Sequence, residues 1–169
     1  AVASFRAVLE LQNETTISIQ REMCMQNKDC AAAWMDLGVG LFRLCQAVRV
    51  CQSWRGSDEF KGQSDSEEDP VDPADSGSLL ARLVNETRMA LKRAIFASTR
   101  DSGEDRNDSI HTSAAGALAA IAADAWNILG VVETEMAWPP RPLVAQYAYV
   151  RAMSLSNGNH AHAWSNLGF

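Results

Sequence analysis

The sequence predicts an all-α protein made of stacked antiparallel helix hairpins. The hexapeptide pattern A-W-x-x-L-G occurs three times, at 33–38, 125–130 and 163–168. A second pattern, A-x₃-Φ-x₂-A, follows the second copy at 145–152, and its second half follows the first copy at 91–94. Two patterns that alternate in a fixed order indicate a repeated two-helix unit. Because such a unit cannot bury its apolar face alone, neighbouring units are expected to stack.

The side chains of A-W-x-x-L-G suit the contact between the two helices of a hairpin. Trp126 and Leu129 are three residues apart and therefore share one helical face. Gly130 has no Cβ, which allows a partner helix to approach closely. We therefore expect Gly130 at the closest approach to the helix that carries Ala145 and Tyr149. The residues assigned to the repeated core are Trp34, Leu37, Gly38, Leu91, Ala94, Trp126, Leu129, Gly130, Ala145, Tyr149, Ala152, Trp164, Leu167 and Gly168.

The two patterns together resemble the signatures of the two helices in tetratricopeptide repeats. Trp126 and Trp164 are 38 residues apart (164 − 126), close to the family period of about 34 residues. The proline-rich stretch 138–142 accounts for the extra residues in this spacing, because it cannot be helix interior and predicts an enlarged turn. The resemblance implies a tetratricopeptide-repeat solenoid, and we expect the chain to be a fragment of a longer array.

The resemblance also divides the chain. It predicts a degenerate helical repeat at 1–30, an interrupted repeat at 31–97, a loop at 98–113, a second repeat at 114–156 and the first helix of a further repeat at 157–169. The interruption at 56–78 is rich in Gly, Ser, Asp, Glu and Pro, and the loop at 98–113 is similarly polar. Such a composition cannot bury apolar area and predicts long disordered insertions.

An acidic run lies within the first insertion, from Ser64 to Asp69. It makes Ser64 and Ser66 candidate phosphorylation sites for an acidophilic kinase, or part of a docking segment for a basic partner. A solvated segment without a role is the commoner explanation of such a run.

Composition excludes several classes of function. The formal net charge is −6, and no cluster of Lys and Arg is present to neutralise phosphates, so direct contact with nucleic acid is not expected. The four cysteines are Cys24, Cys30, Cys45 and Cys51, and they lie in apolar, helix-like surroundings without the density of a disulfide framework. A reducing, cytoplasmic compartment is therefore expected. No long apolar run or leader is apparent, so no membrane association is expected.

No catalytic or cofactor site can be assembled from the sequence. A nucleophile with a base, a carboxylate pair or a phosphate-binding glycine loop cannot be placed, so the chain is not expected to be an enzyme or to bind a cofactor. His160 and His162 lie at the start of a repeat helix without a third ligand at usable spacing, and the cysteine spacings do not match a zinc ribbon. No metal site is predicted.

The predicted function is protein binding. In tetratricopeptide proteins the concave surface is lined mainly by first-helix residues beside the signature. The resemblance places Met35, Val39, Phe42, Arg43, Asn127, Val131, Thr134, Glu135, Ser165 and Phe169 there. The carboxylate clamp of co-chaperones needs Lys, Asn and Arg on this surface, and Met35 and Val39 disfavour it. Trp54 and Trp138 lie outside the repeat pattern and are the better candidates for exposed binding anchors.

Residues 125–132 and 163–168 resemble the middle repeats of the tetratricopeptide scaffold of the superkiller complex. Glu133 departs from that pattern, which usually has a bulky apolar residue at its position. The resemblance implies a cytoplasmic scaffold that holds a helicase and a WD40 protein together for 3′-to-5′ messenger RNA decay by the exosome. The alternatives are a targeting module attached to an enzyme and a co-chaperone without the clamp.

Overall fold

The structure is a computed structural model that describes residues 2–55, 73–100 and 111–168, and the side chains at 14–50, 79–100 and 114–168. Over these ranges the chain is all helical and contains no strand, which confirms the predicted all-helical class. The helices are α1 (Val2–Gln26), α2 (Ala31–Arg55), α3 (Pro73–Arg100), α4 (His111–Val131), α5 (Pro142–Leu155) and α6 (Ala161–Leu167), and α4 continues into a π-helical turn, Val132–Met136.

Helices α2 and α3 form an antiparallel pair. Trp34 near the start of α2 contacts Arg93 late in α3. Cys45, further along α2, contacts Thr87, which lies earlier in α3. Helices α4 and α5 form a second pair, and α3 packs on α4. Helix α2 also contacts α4, and α4 contacts α6. The first helices of successive pairs therefore lie side by side.

Two clusters of buried side chains hold these helices together. The larger cluster joins α1 to α4 and includes Leu41 and Leu91, both fully buried. The smaller one contains Ala145 and Tyr149 of α5 and Ala163 of α6, and Val131 of α4 packs against it. Trp126 packs against both clusters. Helix α4 is therefore the element that connects the two pairs.

The ends of the helices depart from the predicted loop boundaries. Helix α3 begins at Pro73, inside the predicted insertion 56–78, and continues to Arg100, inside the predicted loop 98–113. Proline is favoured in the first turn of a helix, where its missing N–H is not needed. Residues 56–72 and 101–110 lie outside the described ranges, and with them Ser64 and Ser66.

The proline-rich turn lies between α4 and α5, as its composition predicts. After the π-helical turn the Trp138–Pro139 peptide bond is cis, and Pro142 occupies the first turn of α5. The backbone N–H of Arg141 donates to the Glu133 carbonyl at 2.8 Å. This bond ties the start of α5 back to the π-helical turn.

One described helical stretch, Ala114–Met136, is long and apolar enough to cross a membrane by length and composition, which the sequence prediction had not anticipated. Buried side chains along it, among them Ala125, Leu129 and Val132, pack within the larger cluster. Core helices of globular proteins meet the same criterion, so the criterion does not place this helix in a membrane.

Candidate protein-interaction surfaces

The glycines of the first two A-W-x-x-L-G copies lie against equivalent residues of their partner helices. A Cβ added at Gly38 would lie 2.7 Å from Leu91 Cδ2. A Cβ added at Gly130 would overlap the Tyr149 ring, with Cδ1 at 2.7 Å and Cζ at 2.8 Å. Leu91 and Tyr149 each precede a fully buried alanine by three residues, Ala94 in one case and Ala152 in the other. The two helix pairs therefore use the same contact.

The tryptophans of the three copies have different surroundings. The Trp34 indole N–H donates to the Lys28 carbonyl at 2.8 Å, and that of Trp164 donates to the Gly158 carbonyl at 2.7 Å. Each acceptor lies six residues earlier, in the turn before the helix. At Trp126 those earlier residues are part of α4 itself, and its ring instead meets Tyr147 edge-on at 5.7 Å.

The third copy departs from the expected core. Trp164 is 40% exposed rather than buried, because no described helix covers its outer face. Gly168 does not pack against a helix. It ends α6 in the left-handed conformation, with φ 88°, and nothing lies within 4 Å of an added Cβ. Leu167 is partly buried against the smaller cluster.

The predicted inner-surface residues are only partly available to a partner. Arg43, Glu135 and Ser165 are exposed, whereas Met35, Val39, Phe42, Asn127, Val131 and Thr134 are half-buried, and Phe169 lies outside the described residues. The Asn166 amide donates to Asn127 Oδ1 at 3.0 Å, which links α6 to α4. The Thr134 and Tyr149 hydroxyls are 3.4 Å apart. Two of the predicted residues, Asn127 and Thr134, therefore join helices to one another.

Five large apolar side chains are exposed on and just before α5. Trp138 is 92% exposed and Leu143 80% exposed. Tyr147 and Val150 follow Leu143 at helical positions i+4 and i+7 and are also exposed, as is Val144. The spacing places Leu143, Tyr147 and Val150 in one stripe. We call these five residues the α5 surface.

Glu133, the residue that departs from the repeat pattern, is buried in the π-helical turn. It corresponds to Leu41 of the first repeat, 92 residues earlier, by the alignment of Trp34 with Trp126. Arg88 of α3 binds its carboxylate in a two-pronged ion pair, at 2.7 and 2.8 Å. The side chains are only 16% and 4% exposed. The buried charge is thus matched by an arginine from the preceding helix pair, which supplies the fork geometry suited to a carboxylate.

His160 has both ring nitrogens engaged in structural contacts. Its Nδ1 accepts from the Ala163 N–H at 3.2 Å and caps α6, and its Nε2 lies 3.0 Å from Asp124 Oδ1. The His162 ring is 6.3 Å away. Where side chains are described, no group of three or more His, Cys, Asp or Glu residues is placed to hold a metal ion.

The buried thiols and phenol are held in their neutral forms. Burial raises the pKa of the Cys24 and Cys45 thiols. Burial also raises the pKa of the Tyr149 hydroxyl, although its hydrogen bond to Thr134 acts in the opposite direction. Cys24, Cys30 and Cys45 are free thiols.

Sequence reasoning missed a second surface, at the end of the first helix pair. Met25, Lys28, Asp29, Trp34, Arg93 and Phe96 line an open groove there. A signal was present, because an arginine precedes the buried alanine in both repeats: Arg93 before Ala94 and Arg151 before Ala152. A charged residue that recurs at one position of a packed helix indicates a structural or binding role for that residue.

In comparisons with known proteins, no family model matches the chain, no curated protein matches it and no solved structure matches it.

Proposed function

We propose that this chain is a helical-repeat scaffold that binds other proteins. The observation that carries the proposal is the α5 surface. Single exposed apolar residues are common, but several large ones on one element favour a site of protein contact. Tryptophan and tyrosine, as at Trp138 and Tyr147, are the residues most often found at the energetic centres of interfaces.

The repeat is proposed to be of the tetratricopeptide type. Three features support this: the recurring signature, the equivalent contacts of Gly38 with Leu91 and of Gly130 with Tyr149, and the side-by-side placement of α2, α4 and α6. In such a solenoid the second helices, here α3 and α5, lie on the outer side. The α5 surface is then an outer surface, distinct from the inner one that the sequence favoured.

The specific role proposed is that of the cytoplasmic scaffold of the superkiller complex, which holds a helicase and a WD40 protein for messenger RNA decay by the exosome. The support is the resemblance of 125–132 and 163–168 to that subunit. The proposal assigns no catalysis to this segment. The half-buried apolar residues Met35, Val39 and Val131 argue against a carboxylate clamp on the inner surface.

The experiment is affinity purification of the full-length protein from cells, followed by quantitative mass spectrometry. Leu143→Asp is compared with Leu79→Asp, because both replace an exposed leucine with an aspartate but only the first lies in the α5 surface. We expect a helicase and a WD40 protein with the wild type, and reduced recovery of at least one with Leu143→Asp alone. Equal recovery with both variants contradicts a binding role for the α5 surface. Recovery of other partners instead overturns the superkiller assignment.

A further inference from the structure

The groove beside Trp34 is formed where three helices meet. Met25 comes from the end of α1, Trp34 from the start of α2, and Arg93 and Phe96 from the last turns of α3. It has a volume of about 290 Å³. Met25 and Phe96 are 61% and 65% exposed, so the groove presents apolar surface to solvent on two sides.

The Arg93 side chain lies over the Trp34 ring in the lining of the groove. Its guanidinium carbon lies 4.6 Å from the centre of the Trp34 ring, within the range of a cation–π interaction. The ring is itself fixed by its hydrogen bond to the Lys28 carbonyl. No carboxylate among the described side chains forms an ion pair with Arg93. Its five donors therefore have no carboxylate partner among the side chains that the structure describes.

The charge around the groove is positive although the chain as a whole is acidic. Lys28 and Arg93 line it, and the one lining carboxylate, Asp29, is 3.4 Å from Arg100. Two cations are therefore left in excess beside exposed Met and Phe side chains, in a chain of net charge −6. This arrangement complements a ligand that carries carboxylates next to a bulky apolar group.

We propose that the groove binds a short acidic segment of a partner protein. A carboxylate of the segment pairs with the Arg93 guanidinium, whose planar fork matches it in two bonds, and a second carboxylate lies near Lys28. A neighbouring Leu or Phe side chain of the segment covers Met25 and Phe96. This proposal rests on the proposed function only because its ligand is also a protein segment. The groove lies on α1, α2 and α3, apart from the α5 surface.

The test uses the full 169-residue chain and two fluorescein-labelled peptides, Glu-Asp-Leu-Phe-Asp-Glu and its uncharged counterpart Gln-Asn-Leu-Phe-Asn-Gln, with binding followed by fluorescence anisotropy. We expect the acidic peptide to bind more tightly, and added salt to weaken it. Arg93→Gln should weaken its binding about tenfold, as expected for loss of a hydrogen bond between charged groups. Arg82→Gln is the matched control, because it removes the same charge from an exposed position of α3 outside the groove.

Methyl resonances of methionine report the location of binding. The Met25 methyl resonance should shift on addition of the acidic peptide. The methyl resonance of Met153, which packs against the smaller cluster, should not shift. Equal affinity for the two peptides overturns the proposal, as does an equal effect of Arg93→Gln and Arg82→Gln or a peptide that fails to bind. Any of these results would show that the groove does not bind acidic segments. Partner binding by the α5 surface is tested separately, with Leu143→Asp.

Discussion

Glu133 and Arg88 form the most buried ion pair among the described side chains, and they join α3 to the π-helical turn after α4. In the first repeat the equivalent position holds Leu41, which is fully buried. An apolar side chain can therefore fill this place in the fold. The acidic residue is tolerated because Arg88 supplies both of its hydrogen bonds, and removing either partner would leave an unmatched buried charge.

We expect Glu133→Leu and Arg88→Met each to reduce the free energy of unfolding by roughly 3–5 kcal/mol, since a single substitution leaves the other charge buried. The double variant should recover most of that loss, because an apolar pair of similar volume can replace a buried ion pair. Equilibrium denaturation of the wild type and the three variants measures this. Losses that simply add in the double variant would show that the two side chains do not act as a pair.

Cys45 makes stability depend on pH. Burial raises the pKa of its thiol, whereas the unfolded thiol titrates near 8.5. The folded state therefore keeps the proton at pH values where the unfolded state releases it. The stability from the neutral thiol is fully present below about pH 8.5 and falls as pH rises toward the folded pKa, by at most about 1.4 kcal/mol per pH unit.

Denaturant unfolding at pH 7 and pH 9.5 tests this expectation, with the wild type and Cys45→Ala compared at both. The wild type should lose more stability than the variant between the two pH values. Part of the dependence should remain in Cys45→Ala, because burial raises the pKa of the Cys24 thiol as well. Identical pH dependence in the wild type and Cys45→Ala would contradict the assignment.

Helix α6 has seven residues, and a helix this short depends on tertiary contacts and caps. Its N-terminal cap is the His160 ring, which accepts from the Ala163 N–H through Nδ1. The contact with Asp124 favours the proton on Nε2, which leaves Nδ1 free to accept. The cap and the α4 contact therefore depend on one another.

His160→Ala should destabilise α6 by about 0.5–2 kcal/mol, the usual cost of losing an N-cap. His160→Asn restores a short cap acceptor and should recover part of that loss. Hydrogen exchange of the α6 amides is the measurement, and His162→Ala is the control, since His162 is exposed and forms no cap. Unchanged exchange in His160→Ala would mean that the ring does not cap the helix.

The helices themselves could be predicted from the sequence, because the repeated signature carries local information. Gly38 and Gly130 lie against Leu91 and Tyr149, which occupy the same position of the second pattern, so one alignment predicts both contacts. The ion pair of Arg88 with Glu133 spans 45 residues and belongs to neither pattern. Sequence spacing could show that Glu133 was out of place but could not name its partner.

The exposed apolar surfaces were harder to predict for a related reason. Family resemblance directs attention to the inner surface, where Thr134 and Asn127 prove to be occupied with contacts between helices. The exposure of Trp138 follows from its place outside the repeat, as the sequence indicated. The stripe on α5 and the groove at Arg93 depend on which helix faces are left uncovered, and that is decided only when the helices pack.

At the scale of the whole molecule, the pair of α2 and α3 packs against the equivalent pair of α4 and α5 along α4. The described contacts between the two pairs connect helices that are adjacent in the stack. In a solenoid, stability is close to a sum of unit and interface contributions, so a local defect affects its own unit most. A globular bundle with a single cooperative core would instead weaken throughout. The glycine contacts provide a defect that can be introduced into one pair at a time.

Hydrogen exchange monitored by mass spectrometry on Gly38→Ala and Gly130→Ala tests the repeated-unit account most directly. An added methyl at either glycine overpacks one helix contact and should cost roughly 1–3 kcal/mol there. Gly116→Ala is the matched control, because Gly116 is helical and has nothing within 4 Å of an added Cβ. We expect Gly130→Ala to accelerate exchange mainly in α5 and α6, Gly38→Ala mainly in α2 and α3, and Gly116→Ala in neither. Equal acceleration of all six helices by both variants, or no acceleration by either, would contradict the account.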